Sequence, residues 1–349
     1  MAYTIMGKQV GPIGFGLMGL TARPLPDETT FAAIRTALDV GCNWLNGGEF
    51  YGPPDANSLA LIRRYLEKYP EDADRIVLTI KGGLGPNWIP IGTKENIRQS
   101  IDNCIETLGP VGRIASFEAA RRDPDVDYEE DTLATINEYV KEGKIDGISC
   151  SELNADTLRS AAKKFKITAL EIELSLFTTD PLTNGLLEAC GELDIAVLAY
   201  CEYYICLVPK ELQQLTSHPA PLGRGFLGGQ IKSAKDIPED DLRIKMMPRW
   251  QGDNFQKNLQ LVNDVEVLAK KKNCTVSQIA INWLLSISRR PGMPKIIPIP
   301  GSSKPDRVRE NATIVELTDE DLADIDRLLS SFVPAGERYP PQHMKHVHA

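Results

Sequence analysis

The sequence predicts an α/β protein, a (β/α)8 TIM barrel in a single domain. Three observations predict it. Short apolar runs alternate with amphipathic helical stretches over nearly the whole chain. Eight strand-plus-helix units can be counted, and that number favours a closed barrel over an open, doubly wound sheet. The strands read as continuous apolar runs, as a parallel sheet covered by helices requires.

The first strand is expected at 10–16 (VGPIGFG), bounded by glycines, and its helix at 29–41, ending on Gly41, a helix stop signal. The next pairs are 42–46 with 58–69, 75–81 with 93–109, 113–118 with 131–144, 145–150 with 154–165 and 169–174 with 181–194. Strand seven is 195–200. A long irregular stretch follows, then helices over 258–272 and 276–286. Strand eight is 295–300, and helices at 306–312 and 319–332 close the barrel. The barrel is thus expected over 8–332, with 333–349 a loose, solvated tail. Barrel chemistry sits at the C-terminal ends of strands. The positions to inspect follow 16, 46, 81, 118, 150, 174, 200 and 300.

Composition narrows the function classes. A chain of 349 residues, 42% hydrophobic and 25% charged, can bury a large core without staples. A net charge of −9 argues against a nucleic-acid surface. No run approaches the ~20 apolar residues of a membrane span, and the N-terminus shows no secretory pattern. Seven scattered cysteines, without a CxxC pair, are expected to be reduced thiols of a cytoplasmic protein with no metal site.

Gly14-Phe15-Gly16-Leu17-Met18-Gly19 matches GxGxxG, a dinucleotide fingerprint when a helix follows at once. Here 21–26 reads as loop, and no acidic residue ends a second strand at the required distance. A tight turn at the barrel mouth is the expectation.

GFGLMGL (14–20), NWLNGGEFYG (43–52), IVLTIKGG (76–83), ARRDP (120–124), PLGRGFLGG (221–229) and IPIPGSSKPDRVREN (297–311) occur in this order. Together they resemble the aldo-keto reductase family from about residue 8 to 332, and the NGGEFYG form is similar to the fungal pyridoxal reductase group. The resemblance implies NADPH-dependent reduction of an aldehyde to an alcohol, with pyridoxal to pyridoxine as the favoured reaction. Tyr51 would be the general acid, and Lys81 would lower its pKa from about 10. Asn46 stands where most of the family has Asp, and Ala120 where it has His; Asn46 can still orient Lys81 through its carbonyl oxygen. Glu118 and Arg121 are candidates for orienting substrate, an Arg121–Asp123 ion pair being the structural alternative. Trp44, Trp88 and Trp250 are candidate pocket walls, with core packing an equal alternative for each.

The resemblance also implies a nucleotide site at the last two strands. Ser302, Lys304 and Arg307 match the grip on the 2′-phosphate, and Glu310 and Asn311 the adenine contacts. Ser151, Glu171 and Tyr200 match the nicotinamide pocket, Glu171 standing where Gln is common. Leu222, Gly223 and Arg224 match the loop over the pyrophosphate. An extra segment, about 202–220, separates Tyr200-Cys201 from that loop. It reads either as a natural insertion, expected to weaken NADPH binding, or as a retained intron, since splicing at synonymous codons would restore Tyr-Ser-Pro-Leu.

Two other activities stay open. One is a general aldehyde or ketone reductase; the other is a non-catalytic NADPH-binding barrel subunit. The oligomeric state is not legible.

Overall fold

The computed structural model describes residues 3–22, 25–200 and 247–339, together with Met344 and Val347. Strands β1 (Tyr3–Ile5) and β2 (Lys8–Val10) form a two-stranded antiparallel hairpin. Eight parallel strands follow: β3 (Phe15–Gly16), β4 (Trp44–Gly48), β5 (Val77–Gly82), β6 (Ser116–Ala119), β7 (Gly147–Ser151), β8 (Ile167–Glu173), β9 (Ala196–Tyr200) and β10 (Ile296–Pro298). They neighbour one another in chain order from β3 to β10. The ring meets where the Gly14 amide donates to the Pro298 carbonyl (2.8 Å) and the Gly16 amide to Pro300 (3.3 Å). Closure explains the glycines of the GxG run. A Cβ on Gly16 would stand 2.9 Å from the Ile299 carbonyl oxygen, and one on Gly301 only 2.4 Å from that of Gly16. The fingerprint is a seam of close backbone approach. A helix does start promptly after it, contrary to expectation, but Met18–Thr21 is a single turn.

Helices cover the outside. Asn57, Thr93, Asn154, Thr275 and Thr318 each accept a backbone N–H at the start of a helix; the last two complete reciprocal capping boxes with Gln278 and Asp321. Alternation along the strands splits the core in two. Leu45, Leu78, Ile80, Phe117, Leu170, Ile172 and Val197 face outward to the helices. Trp44, Val77, Ala169, Ala196, Leu198 and Ile297 fill the interior. Ile5 and Val10 of the hairpin join this interior set. The first expected strand, 10–16, is therefore mostly not barrel: its start belongs to a plug at the N-terminal end, and only Phe15–Gly16 pair with β4.

Trp44 lies at that closed end. Its indole N–H donates to Thr79 (2.8 Å), Thr79 bonds Ser116 (2.7 Å), and Ser149 donates to Ser116 (2.8 Å). Among the described residues no helix is long and apolar enough to cross a membrane.

The chain past 332 is not a loose tail as far as Tyr339. The Ala335 amide donates to Asn258, whose amide group returns a bond to the Ala335 carbonyl. Arg338 and Tyr339 are buried. A buried guanidinium needs carboxylate partners, and two are waiting at the barrel mouth.

Candidate active site

The turn after β4 sets the site. Tyr51 returns over the strand it follows, its amide donating to the Gly48 carbonyl (3.2 Å). A Cβ on Gly48 would lie 3.0 Å from the Tyr51 ring, so glycine there lets the ring lie against the backbone. Tyr51 is 3% exposed and sits at the C-terminal rim. Phe50 meets Tyr51 edge-on (5.0 Å between centroids) and also Trp88 (5.1 Å). The structure thus brings Trp88 against Phe50, whose ring links it to Tyr51. It places Trp44 and Trp250 elsewhere: Trp44 is in the closed end of the barrel, and Trp250 packs against Phe255 at 5.8 Å in the outer core.

Two residues further along the strands from the Trp44–Thr79–Ser116 layer, the interior turns polar. Lys81, near the end of β5, lies with its ammonium 5.2 Å from the centroid of the Tyr51 ring. It donates to the Asn46 carbonyl oxygen at 3.0 Å and forms an ion pair with Glu171 of β8. The Asn46 amide donates to the other Glu171 oxygen at 2.5 Å. Glu118 of β6 stands 3.7 Å from the same ammonium. All four side chains are buried. Burial first, then the neighbouring Glu171, push the Glu118 carboxyl well above the usual carboxylate range, with Lys81 opposing. Neither Glu118 oxygen has a hydrogen-bond donor of its own. An ionised carboxylate so placed would be costly, so the surroundings of Glu118 favour its protonated form.

Beside this cluster, Arg121 reaches Ser151 (3.4 Å) and the Tyr200 hydroxyl (3.4 Å). The alternative Arg121–Asp123 pairing is not what forms: Asp123 accepts the backbone amides of Gly92 and Asp125. Ser151, Tyr200 and Arg121 therefore meet at one place, while Glu171 is turned to Lys81 and Asn46.

Sequence reasoning missed a second buried cluster. The Tyr200 hydroxyl donates to Glu152 (2.8 Å), and Arg338 bonds Glu152 (3.2 Å) and Glu173 (2.8 Å). Thr178 donates to Glu173 from the other side (2.8 Å). Glu152 has a positive φ of 53°, costly for a residue with a Cβ and held by these bonds. The signal was thin: Glu173 ending β8, Glu152 just past β7, and one arginine far away.

The nucleotide candidates lie after β10. Ser302 accepts the Lys304 amide (3.1 Å) just before the helix Pro305–Ala312. Lys304 is exposed and Asn311 buried. Arg307 pairs with Glu310 (2.7 Å), and Thr275 donates to Glu310 (2.9 Å). Two cations and a hydroxyl at a helix start suit an anionic group such as a phosphate. Leu222, Gly223, Arg224 and the segment 202–220 lie outside the described residues.

A family model described as "Aldo/keto reductase family" matches residues 12–202 and 218–330. The chain belongs to the aldo/keto reductase family. Residues 203–217, between the matched stretches, fall within the extra segment read from the sequence. A Schizosaccharomyces pombe protein named "Probable pyridoxal reductase 2" is 34% identical over 97% of both chains. A second relative from that organism, "Aldo-keto reductase yakc [NADP(+)]", is 32% identical over 95% of this chain and 92% of its own. Among solved structures, the glycerol dehydrogenase of Gluconobacter oxydans superposes with a TM-score of 0.76 at 21% identity, covering 97% of this chain and 98% of the other, which is a likeness of fold. This aldo/keto reductase is an oxidoreductase acting on small carbonyl compounds with a nicotinamide cofactor.

Proposed function

We propose that this aldo/keto reductase uses NADPH to reduce an aldehyde to an alcohol, with pyridoxal, reduced to pyridoxine, as the favoured substrate. One observation carries the reading: a buried tyrosine at the rim with a lysine ammonium 5.2 Å from its ring centroid. Tyr51 donates its proton to the carbonyl oxygen as negative charge develops there. Lys81 stabilises the phenolate left behind. Asn46 fixes the direction of the ammonium through its carbonyl oxygen.

The fit to NADPH rests on the cations near the start of the helix Pro305–Ala312. Lys304 and Arg307 would hold the 2′-phosphate, with Ser302 donating its hydroxyl, and Glu310 and Asn311 would border the adenine. Ser151 and Tyr200 would border the nicotinamide, and Leu222, Gly223 and Arg224 would lie along the pyrophosphate. The bound nicotinamide supplies the hydride. Trp88 and Phe50 would cover the ring of the substrate, and Arg121 would face its polar substituents. The pyridoxal preference draws on the name of the S. pombe relative and on the NGGEFYG segment.

The test is NADPH consumption by the purified protein over a panel of aldehydes and ketones. The reading expects turnover with pyridoxal above that with simple aldehydes. Equal rates across the panel would favour a general reductase. Cofactor binding with no turnover of any carbonyl would favour a non-catalytic subunit.

A further inference from the structure

The residue nearest to Lys81 in sequence motif is Asn46, but it carries no charge. The geometry points to Glu171 as the positioning residue of the site, the carboxylate that holds the Lys81 ammonium against the Tyr51 ring. This inference rests on the proton-donor role proposed above for Tyr51.

Three observations support it. Glu171 makes the ion pair with Lys81, and Asn46 only a neutral bond of 3.0 Å. Glu171 is itself held, because the Asn46 amide donates to its second oxygen at 2.5 Å. Asn46 therefore bridges the pair, accepting from one partner and donating to the other, which an aspartate in its place could not do. Lastly, the pair is buried, so a lysine deprived of its carboxylate would be an uncompensated interior charge.

Glu118 matters to the count. The groups around the ammonium are Asn46 on β4, Glu118 on β6 and Glu171 on β8, with Arg121 just beyond β6. With Glu118 neutral, Lys81 meets one negative charge and the Lys81–Glu171 pair sums to zero, Arg121 adding a positive charge just beyond it. Were Glu118 to take over, its carboxylate would draw the ammonium toward β6.

The experiment compares Glu171→Gln with the charge-relocating double variant Asn46→Asp/Glu171→Gln. The Asn46 oxygen already stands 3.0 Å from the ammonium, so an aspartate there can serve as the partner. Glu171→Gln is expected to lower kcat at least tenfold with KM for the carbonyl changed less than threefold. The double variant is expected to regain most of the lost kcat. The inference is overturned if Glu171→Gln keeps the wild-type kcat, or if the double variant folds and stays as slow as the single one. Should Glu171→Gln fail to fold, the double variant is compared with the wild type: a kcat within about tenfold supports the inference, and a folded double variant slower than that overturns it. A stability cycle with Lys81→Met reads the pair without any turnover: non-additive melting shifts are expected, and additive ones overturn the inference even in a protein that reduces no carbonyl. A wild-type protein that reduces nothing would sink the reductase reading, a result distinct from either.

Discussion

Lys81 and Arg338 are both buried cations at the mouth of the barrel, and each stands between two carboxylates, yet the chain brings them there by different means. The partners of Lys81 all lie on barrel strands: Asn46 and Glu118 on β4 and β6, which flank β5, and Glu171 across the barrel on β8, so closing the barrel assembles the cluster. Arg338 comes from the far end of the chain, 165 residues after Glu173 and 186 after Glu152. Its cluster waits on docking of the C-terminal segment. The chemistry differs as well. One of the two carboxyls near Lys81 is pushed by its burial toward the protonated form, whereas burial opposes the charge of Arg338 and Glu152 and Glu173, both facing it as acceptors, raise its pKa all the same. The lysine cluster is balanced for a proton to move beside it. The arginine cluster is a clasp.

That contrast can be broken most forcefully at the clasp. Arg338→Met takes from Glu152 and Glu173 the guanidinium between them, leaving Arg249 3.9 Å from Glu173, and a loss of about 3–5 kcal/mol in unfolding free energy is expected by denaturant titration. A loss below about 1 kcal/mol would mean the segment past 332 is not anchored. Lys81→Met tests the other side. It is expected to lower kcat about 10²-fold with cofactor affinity little changed, the size of a lost acid–base group. Smaller again is the effect of Glu118→Gln. A carboxyl whose folded pKa is raised gives up stability as pH climbs above its unfolded value, about 4.3 for a glutamate. The variant should therefore melt like the wild type at pH 4 and higher than it at pH 8. An equal melting temperature at both would contradict a neutral Glu118.

The same contrast explains what could be read in advance. The eight barrel strands, and Tyr51 and Lys81 at their ends, were legible because β/α alternation and short motifs are local. The hairpin Tyr3–Val10 was not legible: the first strand, read as 10–16, took in only its last residue, Val10, whose apolar side chain reads like a barrel residue. Whether Trp44 lines the pocket or packs stays open in the sequence, because position along a strand, rim or closed end, shifts by a few residues at the strand start; the fold shows packing. Glu171 was placed toward the nicotinamide, and only the fold shows it turned to Lys81. Arg338 had no local signal at all, as its partners are distant in sequence.

The most direct measurement is the rate of NADPH oxidation with pyridoxal for the wild type and for Tyr51→Phe, which keeps the ring and removes the proton. The account predicts turnover in the first and a kcat lower by about 10²-fold or more in the second, with the fold unchanged by circular dichroism. A Tyr51→Phe protein that reduces pyridoxal at the wild-type rate would contradict it.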